Sequence, residues 1–282
     1  MTAPLPVIEH GHGGTAARSA TVILVGGHES NGARDLAEAV PPRAPYGMVA
    51  AGMPLTEAIG AALAGSEGPV CVVPMTLGRD RTLVAEAARA LRWADGLSGF
   101  DTGRTPGRVA LSAPFGTQDH LVGWLRAAAE RVPAPPGTAV LVTAPAADPF
   151  ADAELYRVAR LVRQYGRYPW VEVAFSGGDP DVEQGVDRCR RLGAERVLLL
   201  PAGFGPAART GSPTIDGGPL LSPAALEGVL AVRCAEALHR LSHGDDGIAA
   251  GLDAEHGHGF AHSHGPDHSH SDEHEHEHPH SH

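Results

Sequence analysis

Lysine is absent from this 282-residue chain, so all 22 basic residues are arginines. That absence excludes a Walker-type phosphate loop, a Schiff-base mechanism and a pyridoxal-phosphate (PLP) site, because each of these needs a lysine ammonium. Aromatic residues make up only 5% of the chain, so Ala, Val and Leu must provide most of the core packing. Neither a signal-like apolar run before Arg18 nor an 18-residue apolar stretch is present. We therefore expect a cytoplasmic protein that does not enter a membrane.

Only three cysteines occur, and they are far apart in the sequence. Cys71, Cys189 and Cys234 each lie in an apolar or helical context, without a CxxC pattern. We interpret them as reduced core thiols rather than as disulfide partners or metal ligands.

The net charge of −11 is unevenly distributed. Residues 244–282 contain acidic residues and no arginine, whereas the chain before them is close to neutral. No basic face of the kind that nucleic-acid binding requires is visible, so we expect no nucleic-acid partner.

Short β-branched runs alternate with helical stretches along the chain. Thr21–Val25 and Val70–Pro74 are typical of buried parallel strands, and Leu83–Trp93 has the pattern of an amphipathic helix. This alternation predicts an α/β fold in which a parallel sheet is flanked by helices.

The pattern starts again after a proline-rich linker at residues 133–137. Ala139–Thr143 resembles the first strand, and Arg196–Pro201 resembles the strand that ends at Pro74. Two copies of one α/β lobe are the simplest interpretation. The predicted organisation is a flexible leader (1–20), an N-terminal lobe (21–132), a C-terminal lobe (138–243) and a disordered tail (244–282).

Histidine dominates the end of the chain, where it alternates with Glu, Asp and Ser. No apolar periodicity is present there, which predicts disorder. Imidazoles beside carboxylates bind Co, Ni, Cu and Zn, so we predict a multivalent metal-binding tail. The eleven proposed ligands are His256, His258, His262, His264, His268, His270, His274, His276, His278, His280 and His282.

The residues that follow each strand are the candidates for chemistry, because ligands bind at the carboxyl ends of strands in open parallel sheets. His28 is the strongest candidate among them, since imidazole serves both as a base and as a metal ligand. Gly26 and Gly27 would let a ligand approach the backbone, and Ser30 follows. The alternative is that His28 is a hydrogen-bonded loop histidine without a chemical role. The corresponding place in the second lobe is Pro145, flanked by alanines.

Further candidates are individually weaker. Glu29 and Asp80 are candidate catalytic carboxylates facing the same cleft, although each is more often an exposed loop charge. His120 is a candidate metal or substrate ligand, and a helix-capping role explains it equally well. The predicted substrate-binding set is completed by Arg79, Arg81, Gly116 and Arg209.

Two other patterns have competing explanations. His239 and His243 are spaced i, i+4, which can chelate a metal, but they also end a helix, where a cation suits the macrodipole. Gly203–Ala208 matches the dinucleotide fingerprint G-x-G-x-x-A, yet it contains Pro206 and no helix is predicted after it. We therefore predict neither a nucleotide nor NAD as cofactor.

Four segments together resemble the sirohydrochlorin chelatase family: Val22–His28, Val73–Leu77, Ala113–Gly116 and Leu200–Phe204. The resemblance extends over about residues 21–241. It implies insertion of a divalent metal, with Co²⁺ favoured and Ni²⁺ or Fe²⁺ as alternatives, into sirohydrochlorin or a related tetrapyrrole without ATP. Such a reaction belongs to cobalamin or sirohaem biosynthesis, whose neighbouring enzymes are candidate partners.

By the same resemblance, His28 is the metal ligand and the base. A second family histidine falls at Thr82 in this chain. Either Asp80, Glu29 or His120 supplies the second ligand, or this copy has drifted from chelation. Arginines at 79, 81 or 209 would meet the carboxylates of the tetrapyrrole, and the tail would act as a metal reservoir.

Two other functions remain open from the sequence. One is a non-catalytic metallochaperone or metal store on a chelatase-like fold. The other is a different tetrapyrrole-binding enzyme, or a two-lobed ligand-binding protein.

Overall fold

The computed structural model describes residues 7–8, 20–41, 45–101 and 107–254. The predicted leader lies almost wholly outside these residues. The eleven tail histidines, from His256 to His282, lie outside them as well.

The first sheet contains β1 (Val7–Ile8), β2 (Ala20–Gly26), β3 (Tyr46–Ala50), β4 (Val70–Met75) and β5 (Val109–Leu111). Its parallel strands lie in the order β3–β2–β4–β5, and β1 adds an antiparallel pair at the start of β2. The central strands β2 and β4 stay in register until Gly26 pairs with Met75. The loops that follow them therefore leave the sheet side by side.

The second sheet contains β6 (Thr138–Pro145), β7 (Val171–Ser176), β8 (Arg196–Pro201) and β9 (Ile215–Asp216). Its order, β7–β6–β8–β9, repeats that of the four parallel strands of the first sheet. The prediction of an α/β protein with two similar lobes is confirmed.

Eight α-helices are described: α1 (Leu36–Ala39), α2 (Met53–Gly65), α3 (Arg81–Asp101), α4 (Gln118–Arg131), α5 (Pro149–Tyr165), α6 (Val182–Arg191), α7 (Pro223–Ser242) and α8 (Ile248–Asp253). Five of them begin at a side-chain cap. Each cap accepts a hydrogen bond from a backbone N–H in the first turn, which satisfies a donor that the helix leaves free. The capping residues are Asp80, Thr117, Asp148, Asp181 and Ser222.

Both faces of each sheet are buried, as is usual for parallel sheets. In β2, Val22 and Leu24 face one core cluster, whereas Ile23 and Val25 face another. Helices α2, α3 and α8 contribute to the outer cluster of the first sheet, and α6 contributes to that of the second. Helices α4, α5 and α7 contribute to the cluster shared by both sheets, which is a central apolar layer.

The last helix of each lobe packs against the sheet of the other lobe. Helix α7 follows β9 but contacts β4 and β5, and α4 follows β5 but contacts β8 and α5. Leu125 of α4 and Leu230 of α7 are fully buried in the central layer. Each lobe therefore completes the core of the other.

The predicted tail begins too early at residue 244. Residues 248–253 form α8, which packs on α3, and the Leu111 N–H donates to the Asp246 carbonyl (2.8 Å). Ile248 and Gly251 are buried, and a Cβ at Gly251 would lie 2.3 Å from Leu111 Cδ2. The folded part of the chain thus continues to residue 254, through a segment too rich in Gly and Asp for helical periodicity to be visible.

The three cysteines are free and buried, in agreement with their prediction as core thiols. Cys71 on β4 nevertheless lies close to Cys234 on α7. A hydrogen bond to Cys234, together with burial, raises the pKa of the Cys71 thiol.

No helix within residues 20–41, 45–101 and 107–254 combines the length and the apolar character that crossing a bilayer would require.

The shared central layer can be tested at Leu230. Replacing Leu230 with Ala should lower the free energy of unfolding by about 2–5 kcal/mol, because it leaves a cavity between the two lobes. Val232→Ala on the same helix is the matched control, since Val232 is 53% exposed, and it should change stability by less than about 0.5 kcal/mol. Urea unfolding followed by circular dichroism measures both. Equal effects of the two substitutions would contradict the packing described.

Candidate active site

The loops after β2 and β4 meet at the carboxyl edge of the first sheet. The first forms a 3₁₀ helix over His28–Ser30, and the second runs through residues 76–80 into α3. Gly27 permits this close approach, because a Cβ there would lie 2.1 Å from Asp80 Oδ2. The adjacency of β2 and β4 thus brings together residues that are about fifty positions apart in sequence.

His28 and Asp80 form the central pair of the site. His28 Nδ1 lies 2.9 Å from Asp80 Oδ2, and the His28 backbone N–H donates to the same oxygen (3.2 Å). This contact assigns the proton of a neutral imidazole to Nδ1. His28 Nε2 is shielded from solvent and has no hydrogen-bond partner among the described residues. Its lone pair is therefore left for another ligand.

Asp80 is held in its ionised form. Burial acts to raise its pKa, but hydrogen bonds and charge from His28, together with the Leu83 N–H, outweigh burial and lower the pKa below the ordinary value. Its second oxygen, Oδ1, accepts from Leu83 N at 3.0 Å, in the first turn of α3. Asp80 thus both orients His28 and fixes the start of a helix.

Glu29 has the opposite electrostatic character. It is fully buried, and desolvation raises the pKa of its carboxyl despite the opposing charge of Arg79 and hydrogen bonds from Thr76 and Leu77. Its Oε2 accepts from Leu77 N (2.9 Å) and from the Thr76 hydroxyl. Its Oε1 has no partner in the described part of the chain. The site therefore contains two carboxyls whose proton affinities are shifted in opposite directions.

The turn after Glu29 has a strained backbone. Asn31 and Ala33 have φ of 52° and 73°, in the left-handed region that residues with a Cβ rarely adopt. Such conformations cost about 1–3 kcal/mol each and persist only where the surroundings enforce them. Here the enforcing contacts are Ser30 Oγ, which accepts from Ala33 N, and burial of Ala33.

Arg79 joins the two lobes. Its side chain is 0% exposed; Nη2 donates to Asp152 Oδ1 (3.0 Å) and Nε donates to the Ala151 carbonyl (3.2 Å), both at the start of α5. The predicted role was to meet substrate carboxylates. The structure instead engages two of its three nitrogens within the protein, because α5 lies against the loop after β4.

Several predicted substrate-binding residues serve internal packing. A Cβ on Gly26 would lie 2.4 Å from Ser30 Oγ, and one on Gly116 would lie 2.6 Å from the Trp124 ring. Ser30 is fully buried, and its hydroxyl bonds to Gly27 O and Ala33 N. These residues shape the loops rather than present groups to a ligand.

His120 is placed as a helix cap. Its backbone N–H donates to Thr117 Oγ1 (3.3 Å), its Nδ1 accepts from Thr117 N (3.2 Å), and its ring stacks on Trp124 at 5.5 Å. Its capping interpretation is therefore the one that the geometry matches, and the structure does not pair it with His28.

The two remaining predicted arginines lie at the periphery. Arg81, the first residue of α3, is partly buried, and burial lowers its pKa while Glu154 opposes the shift. Arg209 is exposed in the loop after β8. Thr82, the place of the second family histidine, is exposed in the first turn of α3.

A cleft of about 350 Å³ lies where the two lobes meet. Glu29, Asn31 and Asp35 line it from the first lobe, and the ends of β6, β7 and β8 line it from the second. The Phe204 N–H donates to the Glu29 carbonyl (3.0 Å), which holds the loop after β8 against the site. His28 is beside this cleft in sequence but is not among the residues that line it.

Sequence reasoning missed three contributors. Thr76 bonds to Glu29 and accepts from the N–H groups of Gly78 (3.0 Å) and Asp80 (3.1 Å), so its hydroxyl organises the whole loop. Asp152 pairs with Arg79, and Asp35 lies against Gly205. Thr76 lies within the Val73–Leu77 segment, so the sequence did mark its position. No sequence pattern marked Asp152 or Asp35.

No group of three or more His, Cys, Asp or Glu side chains arranged to hold a metal occurs in the part of the chain that the structure describes. Of the three candidate second ligands, Asp80 alone is described in contact with the His28 imidazole. A metal at His28 would therefore have few protein ligands among the residues that the structure describes.

Residues 138–210 match the CbiX family model. A sirohydrochlorin cobaltochelatase from Priestia megaterium is 42% identical over 55 residues, which cover 19% of this chain. The match spans only 18% of that relative's length. The family match thus falls on the second lobe, whereas His28, Glu29 and Asp80 lie on the first.

Two solved structures align with about three quarters or more of this chain. SirB from Bacillus subtilis with Fe³⁺ aligns with a TM-score of 0.52 and 12% identity, covering 80% of this chain and 98% of that one. A multi-domain protein from Deinococcus radiodurans, described as structurally similar to chelatases, aligns with a TM-score of 0.43 and 21% identity, covering 76% and 54%. The likeness to SirB shows a shared fold.

Burial of Glu29 predicts a specific pH dependence of stability. Because its pKa is raised above the ordinary glutamate value of about 4.5, the unfolded chain releases this proton at lower pH than the folded chain does. The stability that Glu29 contributes is therefore present below about pH 4.5 and is lost as pH rises through the folded pKa. Relative to the native protein, Glu29→Gln should become progressively more stable over that range.

Urea unfolding between pH 4.5 and 8 measures the difference between the two proteins. Glu195→Gln is the control, because the Glu195 side chain is 72% exposed, and its difference from the native protein should stay small and flat. A flat difference for Glu29→Gln would show that burial does not perturb this carboxyl.

Proposed function

We propose that this protein inserts a divalent metal ion into a metal-free tetrapyrrole without ATP, because its second lobe matches the CbiX family model and a 55-residue segment resembles a sirohydrochlorin cobaltochelatase. The single observation that carries this proposal is the His28–Asp80 pair, which leaves the Nε2 lone pair of His28 unengaged. We propose Co²⁺ as the metal and sirohydrochlorin or a closely related macrocycle as its acceptor. The named activity of the Priestia megaterium relative favours this choice.

His28 would present the metal. A neutral imidazole whose Nδ1–H donates to a carboxylate is a well-oriented ligand, and the carboxylate makes the imidazole more basic. The lowered pKa of Asp80 keeps it ionised, so it supports His28 in this way throughout the neutral range. We assign Asp80 as a positioning residue rather than as the second metal ligand.

Glu29 would take up a proton. Metal insertion replaces two pyrrole N–H protons by one divalent ion, so two protons must leave the macrocycle; Glu29 would accept one, and solvent would accept the other. A buried carboxyl with a raised pKa accepts a proton more readily than an exposed one, and Glu29 lines the cleft between the lobes. The opposite shifts of Glu29 and Asp80 therefore suit different tasks, proton uptake and ligand orientation.

The cleft would seat part of the macrocycle. Its volume of about 350 Å³ is at the lower end of small-molecule sites. The carboxylates of the tetrapyrrole would then extend over the rim, where Arg81 and Arg209 are the cationic residues of the predicted set. The histidines of the tail, from His256 onward, would raise the local metal concentration.

Turnover can be tested by following Co²⁺ insertion into sirohydrochlorin by absorbance. The native chain should turn over, and His28→Ala should abolish turnover because the metal ligand is lost. Asp80→Asn should lower kcat/KM by about 10–100-fold, the usual effect of losing a group that orients a ligand. Asp187→Asn, at an exposed carboxylate on α6, should match the native chain.

Replacing the eleven tail histidines with Asn separates the catalytic body from the tail. We expect turnover at saturating Co²⁺ to persist and the metal requirement to rise. If the native chain binds several metal ions but produces no metallated tetrapyrrole, the enzyme proposal is wrong. The protein is then a metal-handling protein on a chelatase-like fold.

A further inference from the structure

The C-terminal end of α7 presents two neighbouring histidines: His239 lies in the last turn, and His243 is the residue directly after Ser242, where the helix ends. His239 and His243 are one helical turn apart, their ring centroids are 4.7 Å apart and their planes cross at 73°. Both residues are exposed. At this separation two imidazoles can contact the same ion.

The two rings are unengaged, while the backbone beneath them is fixed. Neither imidazole has a hydrogen bond or ion pair with any residue between 107 and 254 or in the other described ranges. The Ser242 hydroxyl donates to the His239 carbonyl (2.6 Å), and the His243 N–H donates to Arg240 O (2.9 Å). Helix geometry thus holds the two side chains together at no additional ordering cost to the backbone.

The surrounding charges do not oppose a cation. Arg233 Nη1 lies 3.4 Å from Glu236 Oε2. Arg240 Nη1 lies 3.8 Å from Asp245 Oδ2, and Arg240 Nη2 donates to the Leu111 carbonyl. Each neighbouring arginine is therefore paired with a carboxylate. The carbonyls at the C-terminal end of a helix carry partial negative charge, which favours a bound cation.

The pair is remote from the candidate active site. Near its start, α7 lines a second cavity with Leu77 and Gly203, at the carboxyl ends of β4 and β8. Cys234 then lies beside Cys71 near the amino end of β4, so α7 runs towards the opposite pole of the molecule. From Leu226 to His239 the helix rises about 20 Å.

We propose that His239 and His243 form a bidentate site for a borderline divalent transition-metal ion, such as Ni²⁺ or Cu²⁺, at the pole opposite the cleft. Imidazole nitrogens suit these ions. Since the described residues offer no cluster of three ligands, the remaining coordination positions belong to exchangeable ligands. The site does not depend on the proposed chelatase activity.

The test uses the full-length chain in which His10, His12 and the eleven tail histidines are replaced by Asn. Calorimetric titration with Ni²⁺ should find a site that His239→Asn or His243→Asn weakens by about 100-fold, since two linked ligands exceed either one alone by at least that factor. His28→Asn should leave this site intact. Circular dichroism verifies that every variant is folded.

A second measurement needs no substitution at the pair. In the same chain, substoichiometric Cu²⁺ should broaden the ring-proton NMR signals of His239 and His243 together. Unchanged Ni²⁺ affinity in both single variants, or broadening that spares this pair, would overturn the proposal. If the native chain shows no catalytic turnover but the His239–His243 site still binds metal, that result would count against the proposed function alone.

Discussion

Burial of the central apolar layer is the constraint on which the rest of the structure depends. Each sheet has two apolar faces. In each sheet, one of these faces is covered by helices α4, α5 and α7, which lie in the layer between the two sheets. With α7 on β4 and α4 on β8, the linker at residues 133–137 cannot act as a simple hinge. Separating the lobes would expose fully buried side chains such as Leu125 and Leu230. The cleft at their junction is therefore a fixed feature, further held by Arg79 and by the Phe204–Glu29 hydrogen bond.

This repeated architecture carries its chemistry on one side. Val25 pairs with Pro74 in the first sheet, and Thr143 pairs with Pro201 in the second. These registers place Ala146, rather than Pro145 as the sequence suggested, where the first lobe has His28. The second lobe contributes cleft walls and the partners of Arg79 instead. In the first lobe, burial raises the pKa of Glu29, whereas hydrogen bonding and charge from His28 lower the pKa of Asp80. A symmetrical fold thus supports an asymmetrical site, and the asymmetry comes from a few loop residues rather than from the sheets.

Much of the fold follows from local pattern, and the exceptions have identifiable causes. The β-branched runs of β2, β4, β6 and β8 predicted buried strands correctly, because a strand covered on both faces must be apolar throughout. Two-residue β9 lies in a Gly- and Pro-rich segment without periodicity, so nothing marks it as a strand. The apolar face of α7 is visible in the sequence, but periodicity cannot say which sheet that face will cover. Exchange of the terminal helices was therefore beyond reach.

The site was predictable to the extent that neighbouring strand ends meet. That rule brought together His28, Glu29 and Asp80 as candidates, and the structure places all three around one pair of loops. It could not show that Asp80 bonds to His28 while Glu29 turns towards Thr76, because neighbouring strand ends fix which loops meet and not the side-chain directions within them. The same rule also named Arg79 and His120, which the structure engages with other partners. Their partners, Asp152 and Thr117, are set by tertiary packing and by a helix cap respectively.

The exchange of terminal helices also bears on how such a chain can be divided. A half ending before the linker would hold the first sheet with α4 lacking β8 to pack on, and with β4 and β5 uncovered where α7 belongs. The other half would have the reciprocal defect. We therefore expect neither half to fold alone, although each carries the helix that the other lacks. Cut at residues 133–137, the molecule becomes two complementary pieces whose folding and association are one event.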